Sequence, residues 1–226
     1  MPAYVDALSQ MSRDAYLKRM RTDSGWAPGW DAITGAFAAV YGKAGEYVPA
    51  ASVDGVSATL EGFGVYHSHK GYRHIVTRGL SRIYPHECAY HGMFSGWGLE
   101  LTVKWADGND PASTIPFLLL DWIAQWMEVT KCGHSTMRSL PLNFKRVNGG
   151  FFAPYVSKLC VAPDTEIPET ETVHGKLVFL QLVNVSEEDR RELRSAPGRI
   201  AQLVFCIKKT NPALVFEQGE PASYLI

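Results

Sequence analysis

The sequence predicts an α+β fold in which a mixed β-sheet is packed with helices. Three observations carry this. Helical and strand periodicities are interleaved without the regular βαβ alternation of a doubly wound sheet. Residues 97–105 alternate strictly, and residues 175–185 are almost continuously apolar. Of the 226 residues, 46% are hydrophobic and 20% charged, a globular composition. A chain of this length buries about 70% of the surface its unfolded form exposes, so it needs neither disulfides nor a structural metal. No internal repeat or long linker divides it, and residues 1–226 read as a single domain.

Residues 2–20 place Val5, Leu8, Met11, Leu17 and Met20 near helical spacing, which predicts an amphipathic helix. "TDSGWAPG" breaks the chain. Asp31 then stands where it can cap the helix "DAITGAFAAVYG", whose apolar stripe is Ile33, Phe37, Val40 and Tyr41 and whose end is Gly42. Short strand-like pieces surround Gly55, Gly62 and Gly64. "GYRHIVTRGLSRIYP", residues 71–85, begins as a strand and runs through Gly-Leu-Ser to a proline.

"WGLELTVKW" is the clearest strand. Trp97, Leu99, Leu101, Val103 and Trp105 fall on one face; Gly98, Glu100, Thr102 and Lys104 fall on the other. Period two over this length predicts one buried face and one polar face. Pro116 opens the next helix, where a missing N–H costs least. That helix, "PFLLLDWIAQWMEV", is apolar nearly all round and so reads as central. "CGHSTMRSLPLNFKRVNGG" is loop-like, "YVSKLCVA" a strand, and "PDTEIPETET" an acidic, proline-broken loop. "GKLVFLQLVNV" reads as a strand buried on both faces. Ser186 with Asp189 resembles a capping box at the head of the helix "EEDRRELRSA". "RIAQLVFCIKK" fits helix or strand, and the tail after Pro212 reads as irregular.

Composition excludes several functions. Net charge is −1 and no Lys/Arg cluster stands out, so no nucleic-acid partner is expected. The start carries no secretory signal. The most apolar stretch, "IPFLLLDWIAQWM", is interrupted by Asp121 and Gln125 and is too short to span a bilayer, so no membrane partner is expected. Cys88, Cys132, Cys160 and Cys206 are widely spaced with no C-x-x-C, and read as small hydrophobes in a cytoplasmic, thiol-reduced protein.

Four groups of residues invite a chemical reading. His67, His69, His74, His86 and His91 crowd together with Cys88. His67-x-His69 on a strand points both rings to one side, as a metal site needs, but the spacing matches no closed zinc pattern. A metal-dependent enzyme built on this cluster is the alternative function. Ser95 lies in G-x-x-S-G ahead of a strand, the wrong order for a nucleophile elbow. "GFG" and "GWG" extend to no phosphate-binding loop. Asp164, Glu166, Glu169 and Glu171 form an acidic loop, read first as solvated and second as a contact patch for a basic partner. Arg78 and Arg82 flank Gly79-Leu80-Ser81; spacing alone does not choose between an anion and loop carbonyls as their partners. The residues show no strong catalytic constellation.

Several of these segments resemble one family in order. "YRHIVTRGLSRIY" and "SGWGLELTVKW" resemble consecutive motifs of the Suppressor of fused domain. "PFLLLDWIAQWM" sits where that family has its apolar helix, and "GKLVFLQLVNVSEEDRREL" resembles its late block. "WDAITGAFAAVYG" resembles its opening helix, so the likeness runs from about Trp30 to Leu193. The resemblance implies a mixed α/β domain without catalysis and a role in binding another protein; no cofactor is expected, and the histidine spacing leads to the expectation of no metal. It makes residues 71–85 scaffold. The animal members have a second domain for which this chain is too short. A stand-alone domain is similar to bacterial members proposed as immunity proteins that neutralise polymorphic toxins. In the animal proteins an aromatic on the central helix and a following Gly-Asp pair hold the partner peptide. Trp126 stands at the aromatic position; Gly133 is present, but His134 replaces the Asp. The resemblance thus implies Trp126 as partner anchor, with His134, Glu166, Glu169 and Glu171 at the rim.

Overall fold

The computed structural model describes residues 10–57, 59–109, 113–133, 141–142, 159–216, 219 and 221–225. Among these residues two helices come first: α1 (Arg13–Thr22) and α2 (Pro28–Tyr41). Strands β1 (Glu46–Pro49), β2 (Gly62–Ser68), β3 (Tyr72–Arg78) and β4 (Phe94–Ala106) follow, then α3 (Ile115–Thr130). After β5 (Pro141–Leu142), β6 (Leu159–Pro163), β7 (Thr170–Thr172) and β8 (Gly175–Asn184), the chain closes with α4 (Glu187–Ser195) and α5 (Ile200–Ile207).

Local chemistry accounts for the helix ends. Ser12 Oγ accepts the Ala15 N–H and starts α1 at Arg13. Of the helix expected over residues 2–20, the part from Arg13 is present, while Val5 and Leu8 lie outside the described residues. α2 starts three residues ahead of Asp31, because Pro28 suits the first turn and leaves Asp31 within it. Gly42 ends α2 in the left-handed region, at φ 71°, which a residue without Cβ adopts freely. Ser186 Oγ accepts the Asp189 N–H at 3.0 Å, as a capping box requires. The Asp189 carboxylate does not return the bond. It is buried and accepts the backbone N–H groups of Tyr224 and Leu225, tying the tail to α4. The ambiguous segment 199–209 contains helix α5.

The strands form one mixed sheet in the order β1-β2-β3-β4-β8-β6-β5, with β7 also on β8. Neighbours are antiparallel except β4 and β8, which run parallel in the middle. β8 therefore has neighbours on both edges and packing on both faces, which explains its near-continuous apolar run.

α3 packs on the first face, against Phe63, Val65, Ile75, Leu101, Val103 and Leu180. The odd residues of β4 all point there; Leu99, Leu101, Val103 and Trp105 are fully buried, while Trp97 is half-buried. The second face is covered in two parts. α2 covers Tyr66, Val76, Leu177 and Phe179. α4 and α5 cover Cys160, Ala162 and Val183. Between these apolar patches lie Glu100, Thr102 and Lys104 of β4. They form the polar face the alternation predicts, yet all three are fully buried. Thr102 and Lys104 meet the loop 164–165, and Glu100 meets the turn 79–81.

Candidate functional site

Residues 71–85 build a clamp around Glu100. The carboxylate accepts the Thr77 and Ser81 hydroxyls, both at 2.6 Å, and the Ser81 and Gly79 backbone N–H groups at 2.9 and 3.2 Å. Burial pushes this carboxyl up, and the Ser81 and Thr77 donors oppose it. Glu100 thus takes up the donors of the Gly-Leu-Ser turn, which would otherwise be buried unpaired. Gly96 completes the junction: a Cβ there would lie 2.7 Å from the Leu80 carbonyl and 2.8 Å from the Arg82 nitrogen. Only glycine permits that approach.

A second network lies beside it. Asp164 has a fully buried side chain. It accepts His74 Nε2–H at 2.9 Å, the Thr102 hydroxyl at 2.6 Å, Lys104 Nζ at 3.3 Å and the Glu166 and Ile167 N–H groups. Glu166 accepts Lys70 Nζ and the Tyr72 hydroxyl, both at 2.7 Å, and the Tyr41 hydroxyl at 2.9 Å. Tyr41 Oη is also 2.8 Å from His74 Nδ1. Lys104 further donates to Thr165 and Gln181.

Burial opposes the charge on Asp164, but His74, Lys104 and Thr102 outweigh it and hold the carboxyl well below the usual range. Burial likewise opposes the charge on Glu166; Lys70, Tyr72 and Lys104 hold it at about 2. Burial lowers the pKa of His74 and of Lys104, against the pull of Asp164. These groups are strongly perturbed, a frequent mark of function. They are also sealed: His74, Lys104 and Asp164 have no exposed side-chain surface. A general acid or base must reach its substrate. This network instead fastens a loop to the central strands.

The solvated-loop expectation is therefore corrected for Asp164 and Glu166, which point inward because buried Lys104 needs anions and His74 needs a hydrogen-bond acceptor. Glu169 and Glu171 are exposed, Glu169 pairing with Lys176 at 3.1 Å. Trp126 is half-buried on α3, packed against the first-face core. The acidic loop belongs to the second face, where Ile167 packs with α2. The structure thus separates Trp126 from Glu166, Glu169 and Glu171. His134 lies outside the described residues.

The histidines are also dispersed. His74 is inside the network, whereas His67, His69, His86, His91 and Cys88 are exposed. Among the described residues no group of three or more His, Cys, Asp or Glu is placed to hold a metal ion. The two arginines have separate roles. Arg78 is buried, stacks 4.1 Å from the Trp30 ring centre and donates to Trp30 O and Thr34 Oγ1. Arg82 is exposed.

Sequence reasoning missed Lys104, Asp164, Tyr41 and Gln181 as one unit. The available signal was the polar side of β4, since a central strand between two others has little access to water.

The fold is α+β, and the His74, Lys104 and Asp164 side chains at its centre are closed to solvent. The sequence model for Suppressor of fused protein (SUFU) matches residues 51–217, well over half the chain. The protein belongs to the Suppressor of fused family. Two solved structures are similar in fold. For the Sufu-Fu complex crystal structure the TM-score is 0.68 at 21% identity, covering 87% of this chain and 92% of that one. For Drosophila Suppressor of Fused it is 0.67 at 20% identity, covering 87% of this chain and 51% of that one. The chain therefore spans about half the length of the Drosophila protein. No curated protein matches it by sequence. No helix among the described residues is long and apolar enough to cross a membrane.

Proposed function

We propose that this domain works by binding another protein, as an immunity-type protein that neutralises a polymorphic toxin by direct contact in the bacterial cytoplasm. The family match over residues 51–217 is the observation that carries this reading. A related fold has been seen in a Sufu-Fu complex, which supports a protein partner. Burial of the His74–Asp164–Lys104 network adds support, because these residues make a rigid platform rather than an open reaction centre.

Trp126 is the proposed anchor. It is half-buried on α3, and Trp is enriched among interface hot spots. His134 belongs to the same proposed contact; Glu169 and Glu171, on the other face, would steer a basic partner from a distance. The test is co-expression with the product of the neighbouring gene in the source genome. Rescue of growth and co-elution of the two proteins are expected. Trp126→Ala should weaken the complex by about 2 kcal/mol or more, with equilibrium unfolding separating loss of fold from loss of contact. Unrelieved toxicity, with no complex formed, would discard the immunity reading.

A further inference from the structure

A cleft lies at the amino-terminal end of β4. It comprises two adjoining cavities, of about 950 and 270 Å³, which share Arg82, His86 and Gly96 in their walls. The larger has apolar walls from Pro49, Val56, Leu80, Ile83 and Trp97, with Glu61 as its carboxylate. The smaller includes Arg82, His86 and His174 and no carboxylate.

Arg82 is held by its backbone on both sides. Its N–H donates to Ser95 Oγ at 3.2 Å, and its carbonyl lies 3.0 Å from His174 Nδ1. Its guanidinium makes no hydrogen bond or ion pair among the described residues. An unpaired guanidinium on a fixed backbone offers a planar fork that matches a carboxylate. Nearby, Tyr84 is 52% exposed in the wall of the larger cavity, and Met93, beside Gly92 of the smaller, is 81% exposed. Arg, Tyr and Met are the residue types that interfaces concentrate.

We propose that this cleft docks an extended segment of a partner protein. An Asp or Glu carboxylate of that segment pairs with Arg82, and the adjoining apolar side chain enters the larger cavity over Leu80 and Ile83. Charge complementarity selects the carboxylate, because the small cavity presents cationic and imidazole groups without an acid. The size of the larger cavity selects a peptide over a lone anion, since about 300–1,000 Å³ holds a ligand of many atoms. The proposal rests on the protein-binding reading and assigns it a surface distinct from that of Trp126.

The test uses a phage-displayed dodecapeptide library panned on the full chain. Selected peptides should carry an acid next to an aromatic or aliphatic residue. Arg82→Glu should weaken them at least ~30-fold, as loss of one partner of a desolvated charge pair does. Replacing the peptide's acid by Lys should restore binding to Arg82→Glu. Tyr84→Ala, an exposed change, should also weaken binding and covers the case in which Arg82→Glu fails to fold. Absence of any selected peptide, or equal binding by all variants, would overturn the proposal. So would inorganic phosphate that shifts the Arg82 NMR signals at lower concentration than the peptide. A toxin complex that survives Arg82→Glu but not Trp126→Ala would remove this cleft and leave the protein-binding reading standing.

Discussion

Lys104 shows what a single residue demands of the fold. Its ammonium is fully buried, and an ion of that size removed from water costs several kcal/mol unless it is paired and hydrogen-bonded. Asp164 at 3.3 Å, Glu166 at 3.6 Å and the Gln181 carbonyl at 3.2 Å provide that compensation. Asp164→Asn keeps the shape and removes the charge. It should cost about 3–5 kcal/mol, the usual result of stripping one partner from a buried pair. Urea unfolding reads this directly; a loss below about 1 kcal/mol would mean that Glu166 alone suffices. Tyr16 offers a milder case. Its hydroxyl accepts the His86 N–H at 2.8 Å and lies 3.1 Å from His174 Nε2, joining α1 to two loops. Tyr16→Phe should cost about 1–3 kcal/mol by leaving those buried groups unsatisfied.

At the scale of elements, β4 decides how much of the fold was legible. Its alternation identified the buried odd face from sequence alone, and Leu101 is fully buried under α3. Leu101→Ala should cost about 2–5 kcal/mol by thermal or urea unfolding, like other core truncations. An effect near zero would mean that α3 does not seal this face. The even face was read correctly as polar, but it is buried as fully as the odd one. Alternation reports side-chain chemistry, not access to water, and the partners of Thr102 and Lys104 come from distant Asp164 and Gln181. Nothing local in the sequence announces that pairing. β8 was legible because a strand buried on both faces by apolar packing needs no distant polar partner. The helix after Ser186 was legible because its cap is local, whereas the tail that occupies Asp189 was not. Of the proposed contact, Trp126 is named by the resemblance alone. The Arg82 cleft escaped because its walls come from three separate stretches of chain.

For the whole molecule, the network ties stability to pH in one direction. Burial lowers the pKa of His74, so as pH falls below about 6.5 the unfolded chain gains a proton that the folded chain resists. Below about pH 5 the unfolded carboxylates begin to take up protons, while Asp164 and Glu166, held low by their partners, remain charged in the folded state, Glu166 down to about 2. In both ranges the unfolded state binds more protons, so stability falls with pH. Glu100 acts the other way: burial raises its pKa, so folding gains as it protonates, and the slope is reduced without being reversed. The melting temperature should therefore be highest near neutrality and should fall by at least ~5 °C between pH 7 and pH 4, given about 2–4 °C per kcal/mol for a chain of this size. Calorimetry across that range checks the total, and one substitution checks the cause. Asp164→Asn removes a carboxylate whose charged form the fold favours. Its melting temperature should start lower at pH 7 and decline less steeply below pH 5 than that of the natural chain. Parallel curves for the two proteins would mean that acid acts elsewhere and that the network, for all its burial, does not set the acid limit of the fold.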